Sequence, residues 1–205
     1  MSSARNKNII CCLDMEGVLV PEMWLGVAEK TKIKALEITT REEPNYDKLM
    51  KYRLGILKKH KIHLKDIQDV VAKMKPLPGA KSFLDQLRSK YQVIILSDTY
   101  TEMASPLMKQ LGWPTLFCHT LSTDTKGYVA NYHLRISDQK RKAVKALQKL
   151  NFYVQAAGDS YNDLTMILSA DKGVLFRTTD KIRKAHPRVP AVETYVELLK
   201  QFNAN

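Results

Sequence analysis

A chain of 205 residues, 44% hydrophobic and 26% charged, has the composition of a globular domain with room for one good-sized core. No apolar run nears the roughly 20 residues that cross a bilayer, no signal-peptide pattern follows Arg5 and Lys7, and three cysteines (Cys11, Cys12, Cys118) indicate no disulfide framework. The formal charge of +12 invites a nucleic-acid partner, but the longest basic run is Lys58-Lys59-His60-Lys61 and no nucleic-acid motif accompanies it, so the expectation is a solvated basic surface, with no nucleic acid, no membrane and a cytoplasmic setting.

The first element is a short apolar run, Ile9 to Leu13, with the length of a buried strand, broken by Asp14 and Glu16. From Val18 to Lys75 no strand-like run occurs; helical patterns lie around Met23–Lys30, Asp47–Lys59 and Leu64–Lys73, and Pro76 and Pro78-Gly79 close the segment. A helix over Ala80–Lys90 leads to the β-rich run Val93–Leu96, which ends in Ser97-Asp98-Thr99. A helix over Tyr100–Leu111 precedes a hairpin with Lys126-Gly127 at its turn and Tyr128–Leu134 as its partly alternating strand. A helix over Asp138–Leu150 is followed by "FYVQAAGDSYND", a strand ending in Gly158-Asp159-Ser160, then a helix over Asn162–Ser169. A strand over Gly173–Phe176, trailed by Thr178 and Thr179, and a helix over Thr194–Phe202 complete the chain. Unbroken apolar strands alternating with helices predict an α/β fold, a parallel sheet with both faces covered. The expected core spans 1–18 and 77–205, and a helical cap spans 19–76, hinged near Leu19–Pro21 and Lys75–Gly79.

A buried carboxylate is costly unless it is paired or binds a metal. One acid at the end of one strand is a cap; acids after three parallel strands converge on one rim, where ligands bind such sheets. Asp14 and Glu16 follow the first strand, Asp98 the second, and Asp159 and Asp163 flank another strand-to-helix turn. That oxygen-rich set suits magnesium. Serine, backbone N–H groups and Lys140 at a helix start suit an anion. Together they point to phosphoryl transfer. His119, at a strand end, is expected to be structural.

The set Asp14-Met15-Glu16-Gly17-Val18, Ser97-Asp98-Thr99, Lys140 and Gly158-Asp159-Ser160-Tyr161-Asn162-Asp163 resembles, in order and over nearly the whole chain, the four signature motifs of the haloacid-dehalogenase superfamily. The helical insert resembles the cap of its phosphoserine phosphatases, whose substrate-binding cap residues match Glu22 and Arg53. Ordinary members carry a second Asp where this chain has Glu16, and Gly-Ala where it has Ser160-Tyr161. "DMEGVLVPE", "ILSDT" and "AAGDSYND" are similar instead to the bifunctional group that also transfers phosphate to homoserine.

The resemblance implies a three-layer, Rossmann-like core and a Mg²⁺-dependent enzyme acting on phosphoserine and homoserine, with room for a homodimer. It implies Asp14 as nucleophile, Glu16 as acid and base, and Lys140 as the cation beside them. Mg²⁺ ligands would come from Asp14, the Glu16 carbonyl, Asp159 and, through water, Asp163. Substrate contacts would come from Glu22, Arg53, Ser97, Asp98, Thr99 and Asn162. The alternatives are a phosphatase for another small phosphomonoester, or a basic nucleic-acid-binding protein on an inactive fold, against which the intact Asp14, Lys140 and Asp159 argue. An ordinary glutamate, with pKa ~4.3, is protonated only about once in 500 at pH 7, a cost near 3.7 kcal/mol that the site must lessen.

Overall fold

The computed structural model describes residues 8–39, 42–43 and 45–204. Seven strands form one sheet: β1 (Ile9–Leu13), β2 (Gln92–Tyr100), β3 (Thr115–Thr123), β4 (Val129–His133), β5 (Tyr153–Gly158), β6 (Lys172–Phe176) and β7 (Ala191–Val192). Their order is β4-β3-β2-β1-β5-β6-β7. Every pairing is parallel except β3 with β4. Side chains alternate along a strand, so both faces of β1 must be covered. Cys11 and Leu13 pack in one buried cluster with Ile95 and Phe83, while Ile10 and Cys12 pack in the other with Leu96 and Val154. The adjacent cysteines are therefore buried thiols on opposite faces.

The helices α4 (Ala80–Arg88), α5 (Thr101–Gln110), α6 (Gln139–Lys149), α7 (Leu164–Ser169), α8 (Asp180–Ala185) and α9 (Tyr195–Asn203) complete the layers. The chain runs from β1 to β2 on one side and later to β5 on the other, so strand order reverses at β1. The carboxyl ends of β1, β2 and β5 thus meet in a crevice. Between β1 and α4 lie α1 (Met23–Thr31), a 3₁₀ turn (Lys34–Glu37), α2 (Tyr46–Lys59) and α3 (Leu64–Val71), with no strand among the described residues. Asn45 caps α2, its side chain accepting from Lys48 N–H at 3.1 Å. Met23, Val27, Leu36, Met50, Leu57 and Ile67 of this segment join the cluster that holds Phe83 and Leu107. Leu77 N–H donates to Leu19 C=O at 2.9 Å, tying the two expected hinges together.

Three features differ from the sequence reading. The hairpin is continuous with the main sheet: β3 begins at Thr115, pairs with β2 and then turns back as β4. Its tip clasps the helical segment, with Leu64 N–H on Gly127 C=O (3.0 Å), His63 stacked on Tyr128 (centroids 4.0 Å apart) and the Tyr132 hydroxyl on Asp47. β2 extends to Tyr100, and its register against β3 shifts between Leu96 and Tyr100, so Ser97-Asp98-Thr99 lie where the strand leaves its neighbour. The short β7 and α8 were not foreseen, and the segment after β5 opens as a 3₁₀ turn, Tyr161–Asp163, before α7. Among the described residues no helix is long and apolar enough to cross a membrane.

Candidate active site

Asp14 continues the β1 ladder by one step, donating its N–H to Ala157 C=O at 2.9 Å, so its position is set by β5 as well as β1. The chain then turns tightly: Leu19 and Val20 N–H both return to Met15 C=O, and Gly17 N–H bonds Val20 C=O. Gly17 has φ +79°, and a Cβ there would lie 2.6 Å from the Asp159 carboxylate. Only glycine meets both demands. Glu16 leaves this turn with its carboxylate on the first N–H of the helical segment, Met23, at 2.7 Å. Burial first, then the charge of Glu22, pushes the Glu16 carboxyl up to about 7, against the pull of Met23 N–H, Arg53 and Lys140. The shift is in the direction that lessens the cost of holding a proton expected of an ordinary glutamate.

Lys140, at the second residue of α6 and 3% exposed, donates to Asp14 Oδ1 and Asp163 Oδ1, both at 2.7 Å, and lies 3.5 Å from Asp98 Oδ2. Burial alone would lower its pKa, but Asp14, Asp163 and Asp98 outweigh that and hold it raised. Asp14 is raised too, by burial and by Asp163 and Asp159, against Lys140. The other oxygen of Asp163 accepts from Asp159 N–H, Ser160 N–H and the Ser160 hydroxyl at 2.9–3.1 Å. A Cβ on Gly158 would fall 2.4 Å from the Asp163 side chain. Asp14, Asp159 and Asp163 each bring a carboxylate oxygen within 4.8 Å of the others. One lysine cannot neutralise three such acids, and an all-oxygen set fits a hard divalent cation.

Asp14, Glu16, Glu22, Arg53, Ser97, Asp98, Thr99, Lys140 and Asn162 all line one cavity of about 120 Å³, the scale of a small molecule rather than a polymer. Ser97 is buried; its Oγ accepts from Thr99 N–H (3.3 Å) and its C=O from Gln139 Nε2 (2.6 Å). Asp98 meets Gln139, Asn162 and Lys140. His119, 3% exposed, does not line the cavity but stands behind Asp98 at 3.6 Å.

The helical segment adds lining residues that no motif signalled, Trp24, Thr39 and Tyr46, and the motif after β5 adds Ser160 and Tyr161. An aromatic at a helix start reads as core, and Trp24 and Tyr46 give no other sign in sequence. Arg53, 6% exposed, stacks 4.5 Å over Trp24 and donates to Ile38 C=O at 2.7 Å, while its Nε–H has no hydrogen-bond partner among the described residues. The Tyr46 hydroxyl donates to Asp98 C=O at 2.8 Å and lies 2.7 Å from the Tyr100 hydroxyl, joining the cap wall to β2.

Residues 10–171 match the family model described as haloacid dehalogenase-like hydrolase. The chain is 53% identical over 193 residues to a phosphoserine phosphatase of Pseudomonas syringae pv. tomato, covering 94% of this chain and 81% of that protein. It is equally identical to phosphoserine phosphatase ThrH of Pseudomonas aeruginosa, covering 94% of each. In structure it resembles a phospho-aspartyl intermediate analogue of phosphoserine phosphatase, with a TM-score of 0.76 at 17% identity over 95% of this chain and 99% of the other, a likeness of fold.

Proposed function

The chain belongs to the haloacid dehalogenase-like hydrolase family, and on that premise we propose that it hydrolyses phosphoserine through an aspartyl-phosphate on Asp14 and also passes the phosphoryl group to homoserine. One observation carries the reading: a single small cavity has two unlike ends. At the core end Asp14 stands beside Lys140 and Ser97. At the cap end the buried Arg53 keeps an N–H that has no partner among the described residues, and Glu22 lines the same cavity. A buried donor left unsatisfied is costly, and Arg53 suits a planar carboxylate. A phosphomonoester that also carries a carboxylate and an ammonium group fits both ends. The relatives' names, both phosphoserine phosphatases, support the same substrate.

In this mechanism an oxygen of Asp14 bonds to phosphorus as the bond from phosphorus to the serine oxygen breaks. Lys140 screens Asp14 from the incoming dianion, and the Ser97 hydroxyl with rim amides holds the phosphoryl oxygens. Glu16 gives its proton to the leaving serine oxygen. It then takes a proton from the acceptor, whose oxygen displaces Asp14 from phosphorus. When bound, Mg²⁺ would be held by the Asp14 and Asp159 carboxylates and the Glu16 carbonyl, with Asp163 holding a water, and it supplies the positive charge that one lysine cannot. Homoserine is serine with one more methylene, so it offers the same groups to Glu22 and Arg53. An oriented alcohol competes with water because effective molarities in bound complexes reach ~10⁵ M or more. The three free, buried thiols accord with a cytoplasmic enzyme.

The test measures serine and free phosphate together, with and without EDTA, at rising homoserine. Phosphate release that survives EDTA removes the metal. Serine release that stays equal to phosphate release at millimolar homoserine removes the transferase half and leaves a phosphatase. A chain that releases phosphate from other small esters but not from phosphoserine removes the substrate.

A further inference from the structure

A carboxylate one residue beyond Ser97, at a rim that must accept a phosphate dianion, requires a reason. Asp98 is held too firmly to be a turn residue. Its Oδ1 accepts from Gln139 Nε2 at 3.1 Å and faces His119 Nε2 at 3.6 Å; its Oδ2 accepts from Asn162 Nδ2 at 3.2 Å and lies 3.5 Å from Lys140. The two groups behind it are themselves fixed. His119 Nδ1 accepts the N–H of Arg135 at 3.1 Å, so the neutral ring carries its proton on Nε2, the nitrogen nearest Asp98. Gln139 Oε1 accepts from Arg135 Nε at 3.3 Å and its Nε2 also donates to Ser97 C=O, so a flipped amide would lose three bonds. Arg135 is steadied by its stack over Phe117, 4.8 Å away. His119 and Gln139 are both buried.

The loosest partner is in front. Asn162 is exposed, lies on a 3₁₀ turn and lines the cavity. Its Nδ2 is on Asp98 and its Oδ1 shares the one Ser160 hydroxyl proton with Asp163. An amide nitrogen has two hydrogens; with one on Asp98, the other is left as a donor at the cleft. Reversing the amide would set its oxygen against the Asp98 carboxylate, two acceptors with no proton between them.

We propose that Asp98 is a positioning residue: backed by His119 and Gln139, it fixes the side-chain amide of Asn162 so that the second N–H is aimed at the phosphoryl group during transfer. This rests on the phosphatase reading above. Asp98 touches no reacting atom; it acts through Asn162, and its charge matters because a charge-assisted hydrogen bond is about twice as strong as a neutral one.

The experiment is a double-mutant cycle on kcat/KM for phosphoserine and for p-nitrophenyl phosphate. Asp98→Ala and Asn162→Ala are each expected to lose about ten-fold, the scale of one hydrogen bond to a charged group. The double variant is expected to lose little more than either alone, since each change removes the same contact. Asp98→Asn, nearly isosteric, repeats the cycle if Asp98→Ala does not fold. Losses that multiply in the double variant, to about a hundred-fold, overturn the proposal, as do single variants as active as the wild type. A readout independent of turnover is the ¹⁵N–¹H signal pair of the Asn162 side-chain amide. One hydrogen is expected downfield in the wild type, and the pair moves toward solvent values in Asp98→Ala. An unchanged pair overturns the proposal. A wild type that cleaves p-nitrophenyl phosphate but not phosphoserine removes the substrate reading and leaves the cycle to be read on the ester it cleaves.

Discussion

The two walls of the cleft are built differently. On the core wall Asp14, Lys140 and Asp163 are at most 4% exposed, and Lys140 donates to both carboxylates at 2.7 Å, each residue within a few positions of a strand end or a helix start. On the cap wall Arg53 is held by an aromatic stack, one carbonyl and a sulfur contact, and its Nε–H is unsatisfied. The core wall ties its charged groups together through Lys140; the helical wall keeps a cation whose hydrogen bonds are incomplete among the described residues. Chemistry needs the first, because a nucleophile must be fixed before the substrate comes. Selection needs the second, because a group already satisfied gains nothing from a ligand.

The contrast is broken most severely by Asp14→Asn, nearly isosteric and deprived of the nucleophilic oxygen. Turnover is expected to fall at least about a thousand-fold with the fold intact by circular dichroism. Beryllium fluoride, which mimics an acyl phosphate, is expected to bind the wild type at Asp14 and not the variant. Substantial turnover by the Asn variant, deamidation excluded, removes Asp14 from the role.

Lys140→Met and Arg53→Met test the two walls against each other. Removing Lys140 leaves Asp14, Asp163 and Asp98 without their shared cation, and breaking a buried ion pair from one side costs about 3–5 kcal/mol. Denaturant unfolding without Mg²⁺ is expected to show that loss, and added Mg²⁺ to recover part of it. Removing Arg53 forfeits one hydrogen bond and a stack, so stability is expected to fall by about 1–2 kcal/mol. Its KM for phosphoserine, by contrast, is expected to rise roughly thirty-fold or more, while p-nitrophenyl phosphate, which has no carboxylate, changes little. Equal stability losses in the two variants, or equal KM changes on the two substrates, would erase the distinction between the walls.

The same contrast decides what sequence could reveal. The places of Asp14 and Asp159 were legible because parallel strands deliver their carboxyl ends to one rim, so an acid's place after an apolar run gives its place in space; Lys140, among lysine neighbours on a helix, stood out only through its order among the other motifs. The parallel sheet followed from the same runs, and the helical segment from their absence between Val18 and Lys75. Trp24, Thr39 and Tyr46 were not legible, because their meaning depends on how α1 and α2 lie over the rim, which no local pattern states. His119 was expected to be structural and is buried, but its contact with Asp98 joins residues 21 apart through a register shift in β2 that spacing does not show. Gln139, beside Lys140, drew no notice because a glutamine at the start of a basic helix resembles surface.

The smallest effect is expected where the walls meet. Tyr46, first residue of α2, donates its hydroxyl to Asp98 C=O and thus accepts from Tyr100, the one arrangement that gives each oxygen a proton to share. Burial holds the Tyr46 pKa well above its ordinary value, so the hydroxyl stays a neutral donor. Tyr46→Phe removes that bond and keeps the ring, and the hairpin still clasps the cap through His63–Tyr128 and Tyr132–Asp47. One neutral hydrogen bond is worth about 0.5–1.5 kcal/mol, so kcat/KM for phosphoserine is expected to fall only about two- to ten-fold. The partition of product should respond more tellingly. A cap less tightly joined to β2 admits water to the aspartyl-phosphate, so at fixed homoserine the share of phosphate released free is expected to rise against phosphohomoserine, read by ³¹P NMR. If the partition stays at the wild-type value while kcat/KM falls, the Tyr46 contact serves substrate binding alone, and water is kept out by other groups.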